Sequence, residues 1–518
     1  MKRSFLSIFL FFLCFQVFGQ TIKIKLNNHQ DTTVFLIKYQ GKRLYYADTA
    51  ELQKGYVQFD GKKQKPGILA LLLPGQKYFE FIYNNEDVVL ETTYPDFIKT
   101  MKVKKSEENK VFIPYVNFIT EKKTKSAQLS TQLNSFQKGS EEYASTNEQI
   151  DKINKSVVAY QKNLCELNPS NLVGRIVKMG MDIEVPDFPE DSTEEVSSAQ
   201  KRFEYYRDHY WDNVDFSFDP LVNNPVFHNK LETFFSKNMM VQHWDTVIKY
   251  AFKFIDRLDP KSSMFEYCVG WITSTYGKSE IMGMDKVYLY MLNKYYCSKN
   301  EEGKSPAFWV KEDKLEEICE NLNNKINLVV GVRPPNLILK DTSDNQWVDF
   351  YSLKSDYTIL YFWDPECGHC KKTTPKLGRL YKEKLKERNV EVYAIGKAIG
   401  KDFEAWKKFI VDNHLTFINA AVTDKLYQLA KSDPNSLVPV PGDFRPKPTT
   451  LESLNYQTTY DIFSTPVAYI LDKDKNIIAK RVSISQIEDM LDHLQNMKDA
   501  PKLFPPNKEE DEQMQMKH

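Results

Sequence analysis

A nearly unbroken apolar run, Tyr357-Thr358-Ile359-Leu360-Tyr361-Phe362-Trp363, leads directly into Asp364-Pro365-Glu366-Cys367-Gly368-His369-Cys370. Such a run reads as a strand buried on both faces, so other layers must cover it above and below. Residues 371–388 read as a helix. The junction places Cys367 in a strand-to-helix turn, near the partial positive charge of a helix N-terminus. There a thiolate is stabilised and the sulfur becomes a nucleophile at neutral pH.

A Cys-x-x-Cys pair serves zinc binding, a structural bridge or redox chemistry. Zinc requires two further ligands at suitable spacing, and neither a second Cys-x-x-Cys nor a Cys-x-x-His occurs. His369 sits between the two thiols, where its ring has difficulty sharing an ion with both. A structural bridge over so short a loop constrains the unfolded chain little. The redox reading is therefore favoured, with Cys367 as the attacking thiol, Cys370 as the resolving one, and a reversible Cys367–Cys370 disulfide. No metal and no cofactor are expected. His209, His228 and His243 show no His partner at i, i+4 and no His-Glu-x-x-His pattern, and read as ordinary histidines.

At 518 residues the chain exceeds what one core supports. Lys+Arg 70 against Asp+Glu 70 leaves no net charge, and no long basic tract points to nucleic acid. Residues 1–20 read as a cleavable export signal: Lys2-Arg3, an apolar stretch over 5–18, then Gly19-Gln20 as the cleavage region. That stretch is short for a membrane span. Leu13 ahead of Cys14 argues against a lipid anchor. A periplasmic location follows as an expectation, with no transmembrane segment in the mature chain. Cys165, Cys268, Cys297 and Cys319 have three pairings open to them.

Residues 21–100 read as a small β-sandwich-like domain, with strands over 21–26, 34–39, 57–59, 68–73 and 78–83 and turns at Asn27-Asn28, Gly41-Lys42 and Pro74-Gly75. Residues 101–326 read as an α-helical domain, with helices within 104–167 and over 199–213, 226–240, 243–258, 264–275, 285–297 and 311–324. Its Met and aromatic clusters read as core. Residues 327–498 return to alternating strand and helix. The tail, 499–518, is charged and Pro-containing and reads as disordered.

A second anchor lies downstream of the cysteines: Phe463-Ser464-Thr465-Pro466, opening the apolar strand Val467-Ala468-Tyr469-Ile470-Leu471. With the cysteine motif, and with Val330-Gly331-Val332-Arg333-Pro334-Pro335-Asn336-Leu337 at the domain's start, it resembles the TlpA/ResA-like branch of thioredoxin-fold proteins. Residues 21–98, with Asp48-Thr49-Ala50 ahead of a Gly-x-Val-x-Phe strand, resemble the β domain of unknown function found before thioredoxin domains in exported Bacteroidetes proteins. The resemblance implies a C-terminal α/β thioredoxin fold and thiol-disulfide oxidoreductase activity. It also implies a cis Thr465-Pro466 bond beside the cysteines, with Thr465 and Pro466 presenting backbone to an extended partner and Pro466 keeping metals off the thiols. The implied partners are exported proteins bearing disulfides or thiols, with a membrane electron donor upstream.

Two departures stand out. The family's second aromatic before the first cysteine is Glu366 here, which should oppose thiolate formation, with Lys371 and Lys372 offsetting it. Residues 424–460 form an unusually long link, read either as a stiff proline-rich loop or as a flap over the site. Trp363 is expected to wall the site. Gly368 and His369 fill the slots between the cysteines, and the His369 ring should stabilise the Cys367 thiolate. The same Cys-Gly-His-Cys occurs in protein disulfide isomerase, which sets a scale of about 90 mV, or roughly 4 kcal/mol, toward a less reducing poise than thioredoxin. Two other readings remain: a peroxiredoxin-like peroxidase, whose Pro-x-x-x-Thr-x-x-Cys is absent, and a partner-binding protein with an accessory redox domain.

Overall fold

The computed structural model describes residues 20–190 and 196–506. The expected export signal, apart from Gln20, and residues 507–518 of the expected tail lie outside them. The chain forms two compact units: Met1–Gln242 with Phe254–Tyr267, and His243–Lys253 with Cys268–His518. The helical stretch 101–326 is thus shared between the two units.

In the first unit, strands β1 (Thr21–Asn27), β2 (Thr32–Gln40), β3 (Arg43–Leu52), β4 (Tyr56–Asp60), β5 (Gly67–Leu73), β6 (Lys77–Tyr83), β7 (Val88–Thr93) and β8 (Lys102–Lys105) form two sheets. Their orders are β4-β1-β7-β8 and β3-β2-β5-β6. Alternating residues of both sheets, among them Ile22, Ile24, Leu36, Leu71, Phe81 and Leu90, share one buried core, as the period-2 pattern requires. The sequence reading missed three strands. The edge strand β3 is mostly exposed, so it carries no apolar alternation; β7 is short, and β8 is Lys-Val-Lys-Lys. Because β8 pairs with β7, the β region ends at Lys105 rather than at residue 100.

Helices Glu107–Leu133 and Glu141–Leu167 follow, with Ser106 and Ser140 as N-caps. Each serine oxygen accepts one of the amides a helix start leaves unpaired. Asn109 is buried and holds the edge of β6: its side chain accepts from Ile82 N–H at 2.9 Å and donates to Ile82 C=O at 2.7 Å.

The second unit carries a seven-stranded sheet, order β10-β9-β13-β12-β11-β14-β15. Its strands are β9 (Ile338–Asp341), β10 (Trp347–Asp349), β11 (Tyr357–Trp363), β12 (Val390–Ala398), β13 (Ile418–Thr423), β14 (Val467–Leu471) and β15 (Ile477–Lys480). β11, β12 and β13 are parallel, and the other neighbours antiparallel. The central β11 is buried on both faces. Ile359, Tyr361 and Trp363 enter one core, and Leu360 and Phe362 the other. That explains the continuous apolar run. Cys297 and Cys319 form a disulfide, whereas Cys165 and Cys268 are free thiols.

The stretch 424–460 is anchored at both ends. It begins with helix Asp424–Ser432 and ends in two helical turns, Leu451–Leu454 and Tyr456–Thr459. Thr449 Oγ1 donates to Ile338 C=O at 2.6 Å, Ser453 Oγ accepts from Ile338 N–H at 3.0 Å, and Tyr456 and Tyr460 are buried against Phe362. The sequence reading missed this because tyrosines among prolines carry no clear period.

The expected disorder of the tail is corrected over its first part. Leu503 and Phe504 pack against the core, and their N–H groups donate to Glu488 at 2.8 and 3.0 Å. Glu488 and Asp492, each 1% exposed, also hold Lys384, Arg388 and Lys502. Two buried carboxylates thus act as a latch for the C-terminal segment, invisible in sequence because the tail is polar by composition. Burial pushes the Asp492 carboxyl up, but its bonds from Lys502 and Arg388 and the Lys384 charge outweigh that and hold it below its ordinary value. Its contribution is therefore present above the unfolded-state value near ~4 and lost as pH falls below it. Glu488→Ala should release the segment, since each orphaned buried amide costs about 1–3 kcal/mol. Limited trypsin cleavage after Lys502 should become faster than in wild type; equal rates would contradict the latch.

Candidate active site

β11 ends at Trp363, and the turn Asp364-Pro365-Glu366 reverses the chain, with Cys367 N–H donating to Asp364 C=O at 3.1 Å. Cys367 is the N-cap of helix Gly368–Leu380, in extended backbone at φ −72° and ψ 125°. The buried Tyr361 hydroxyl lies 3.1 and 3.0 Å from the hydroxyls of Thr373 and Thr374, tying this helix to the strand beneath it. Cys367 is partly exposed and Cys370 fully buried.

Burial opposes ionisation of Cys367, but the N–H groups of Cys370 and His369, the Thr465 side chain and the Cys370 thiol all bond its sulfur. Together they lower its pKa below the usual thiol value. These are the unpaired amides of a helix start, aimed at an anion. Cys370 goes the other way: burial pushes it up to about 12, although Asp364 N–H donates to its sulfur at 3.5 Å. The two thiols are thus chemically unequal.

Thr465-Pro466 is cis, and Thr465 C=O accepts from the Cys367 thiol at 3.4 Å. β14 pairs antiparallel with β11, Val467 opposite Phe362, and that register carries Thr465 and Pro466 alongside the cysteines. Proline supplies no N–H at that position.

Of the four residues expected to tune the site, His369 and Glu366 depart from expectation. Trp363 is 1% exposed and shares a buried cluster with Cys370, against which Cys367 packs, and its ring meets Phe409 at 5.2 Å. His369 is exposed, and its backbone N–H reaches the Cys367 sulfur where an imidazole was expected. Glu366 is exposed and pairs with Lys371 at 3.3 Å; it is not among the groups that shift the thiol. Gly368 meets open space where a Cβ would stand, so the fold does not demand glycine there.

A nearby ion-pair set escaped the sequence reading. Parallel pairing of Trp363 with Gly396 brings the next residues, Asp364 and Lys397, together. Lys397 Nζ lies 3.5 Å from Asp364 and 3.0 Å from Asp402, steadying the turn that carries the Cys370-facing amide. Gly396 is required here, because a Cβ would fall 2.0 Å from Trp406 Nε1. No spacing rule links positions 364 and 397; only sheet register does.

Reduced protein at neutral pH should therefore react with iodoacetamide at Cys367 well before Cys370. Mass mapping that found Cys370 labelled first would contradict the assignment. Glu366→Gln should change the Cys367 labelling rate by no more than about fivefold, as exposed ion pairs contribute about 0–1 kcal/mol.

Comparison with known proteins agrees with the fold. A thioredoxin-like family model matches residues 355–439, and two models described as domains of unknown function, DUF4369 and DUF5106, match residues 20–112 and 140–323. The thiol-disulfide oxidoreductase ResA of Bacillus cereus is 24% identical over 174 residues, 34% of this chain and 82% of that protein. A domain of a possible thiol-disulfide isomerase from Cytophaga hutchinsonii is 32% identical, covering 32% of this chain and 94% of that one, with a TM-score of 0.24. A thioredoxin-like protein from Bacteroides caccae is 19% identical, covering 60% and 98%, with a TM-score of 0.37. With the cysteine geometry, the thioredoxin-like model and the ResA match support a TlpA/ResA-like thioredoxin fold of the thiol-disulfide oxidoreductase type in the C-terminal part of this chain.

Proposed function

We propose that the chain is an exported oxidoreductase that exchanges disulfides with protein partners through Cys367-Gly368-His369-Cys370. The observation that carries this reading is the inequality of the thiols: one accessible and easily ionised, the other buried with its pKa raised to about 12. The Cys367 thiolate attacks one sulfur of a partner disulfide. A Cys367–partner bond forms, the partner S–S bond breaks, and the partner's second sulfur leaves as a thiolate. Cys370 then attacks Cys367 Sγ, its proton passing to the leaving thiolate, and the Cys367–Cys370 disulfide forms as the second partner thiol departs. The partner gains two electrons and the pair loses two, so an exported dithiol reductant must restore it; the reverse sequence oxidises a partner.

Export is supported by the Cys297–Cys319 bridge, since such bonds persist outside the reducing cytosol. Stabilising the Cys367 thiolate favours the dithiol over the disulfide, consistent with a poise less reducing than thioredoxin. Cys370→Ser should trap a mixed disulfide at Cys367 with an exported protein, visible as a dithiothreitol-sensitive adduct. Wild type should reduce insulin without consuming peroxide directly. Peroxide turnover without disulfide reduction, or no adduct, would overturn this function.

A further inference from the structure

We propose that Phe463 sets substrate preference, receiving an apolar side chain that flanks the disulfide of an extended polypeptide partner. This rests on the disulfide-exchange reading above.

Phe463 is 88% exposed, while the preceding Ile462 is 8% exposed and belongs to the core. The segment around the phenyl ring is pinned on both sides. Before it, the Asp461 carboxylate takes Arg481 Nη2 at 3.1 Å and Lys325 Nζ at 3.4 Å, and Ile462 N–H donates to Gln457 C=O at 2.8 Å. After it, Thr465 C=O faces Cys367 Sγ at 3.4 Å and leads into the buried β14. With Ile462 turned inward and Thr465 turned to the sulfur, the fold itself holds the ring in solvent.

By contrast, Trp363, Trp406, Tyr361, Tyr460 and Tyr469 of this domain are all under 2% exposed, while Phe444, on the proline-rich stretch, is 98% exposed. An exposed ring on a segment held beside the reactive thiol offers a partner an apolar contact. Position selects the occupant. Phe463 lies two residues from Thr465, at most about 7 Å along the chain, and a partner sulfur bonded to Cys367 sits about 2 Å from its Sγ. That spacing brings the residues flanking a partner cysteine into the neighbourhood of Phe463. On the cysteine side the exposed neighbours Glu366, Gly368, His369 and Lys371 offer no apolar side chain, so Phe463 supplies the apolar match.

The test uses the full-length chain and two synthetic peptide disulfides, one with Leu and one with Ser on both sides of the bridged cysteines. Wild type should favour the Leu peptide by about tenfold in kcat/KM, the scale of one aromatic contact. Phe463→Ala should erase the preference, Phe463→Leu should keep part of it, and Phe444→Ala, at a 98%-exposed ring on the proline-rich stretch, should keep it all. An unchanged preference in Phe463→Ala, an equal slowing on both peptides, or no preference in wild type would overturn the proposal while leaving disulfide exchange standing. Reduction of neither peptide by wild type would overturn both.

Discussion

A negative sulfur at the start of a helix has few sources of stabilisation in a partly buried site, and here they are two backbone amides together with the Thr465 side chain and the Cys370 thiol. The amides of His369 and Cys370 have no carbonyl four residues back to bond, and both converge on the Cys367 sulfur. Everything around them serves to keep that convergence in place. β11 is buried on both faces, the Tyr361 hydroxyl fastens the helix to it, and Pro365 and Asp364 turn the chain so that Cys367 falls at the cap. Cys370, one turn on, is enclosed by the same packing that exposes its neighbour. The reactivity difference follows from depth and helix position more than from any charged side chain.

The first thiol and its strand, turn and helix were legible in the sequence because they are local: an apolar run, a Cys-x-x-Cys and a helical pattern in direct succession. The Thr465-Pro466 segment was legible only through family resemblance, since nothing local announces that residues a hundred positions apart meet. Sequence reasoning went astray where side-chain direction mattered. Glu366 and His369 were expected to tune the sulfur because they flank it, yet both side chains project into solvent. Trp363 was expected to wall the site, and its place in the strand alternation sends it inward with Ile359 and Tyr361, into the cluster that holds Cys370. Lys397 was missed because sheet register brings it to Asp364. The edge strand β3 and the C-terminal latch were hidden for a common reason: exposed or polar segments held by pairing rather than by burial leave no hydrophobic signature.

The remainder of the chain is built on ordinary physics of its own. Two sheets share a core in the first unit, and Asn109 supplies to β6 the donor and acceptor that a neighbouring strand would otherwise provide. In the second unit a disulfide links Cys297 to Cys319, at a separation of 22 residues. That bridge and the Cys367–Cys370 pair do different work: the first closes a longer loop and limits the unfolded chain, while the second closes almost none and is free to open.

The central claim is that backbone amides, and not the imidazole between the cysteines, set the acidity of Cys367. Following the thiolate absorbance near ~240 nm against pH, in reduced wild type and in His369→Ala, tests it directly. The account predicts a Cys367 transition below the ordinary thiol value of ~8.5 in both proteins, with midpoints that agree to within about half a unit. A rise of a full unit or more in His369→Ala, with the fold intact by circular dichroism, would show that the imidazole carries the stabilisation and would contradict it.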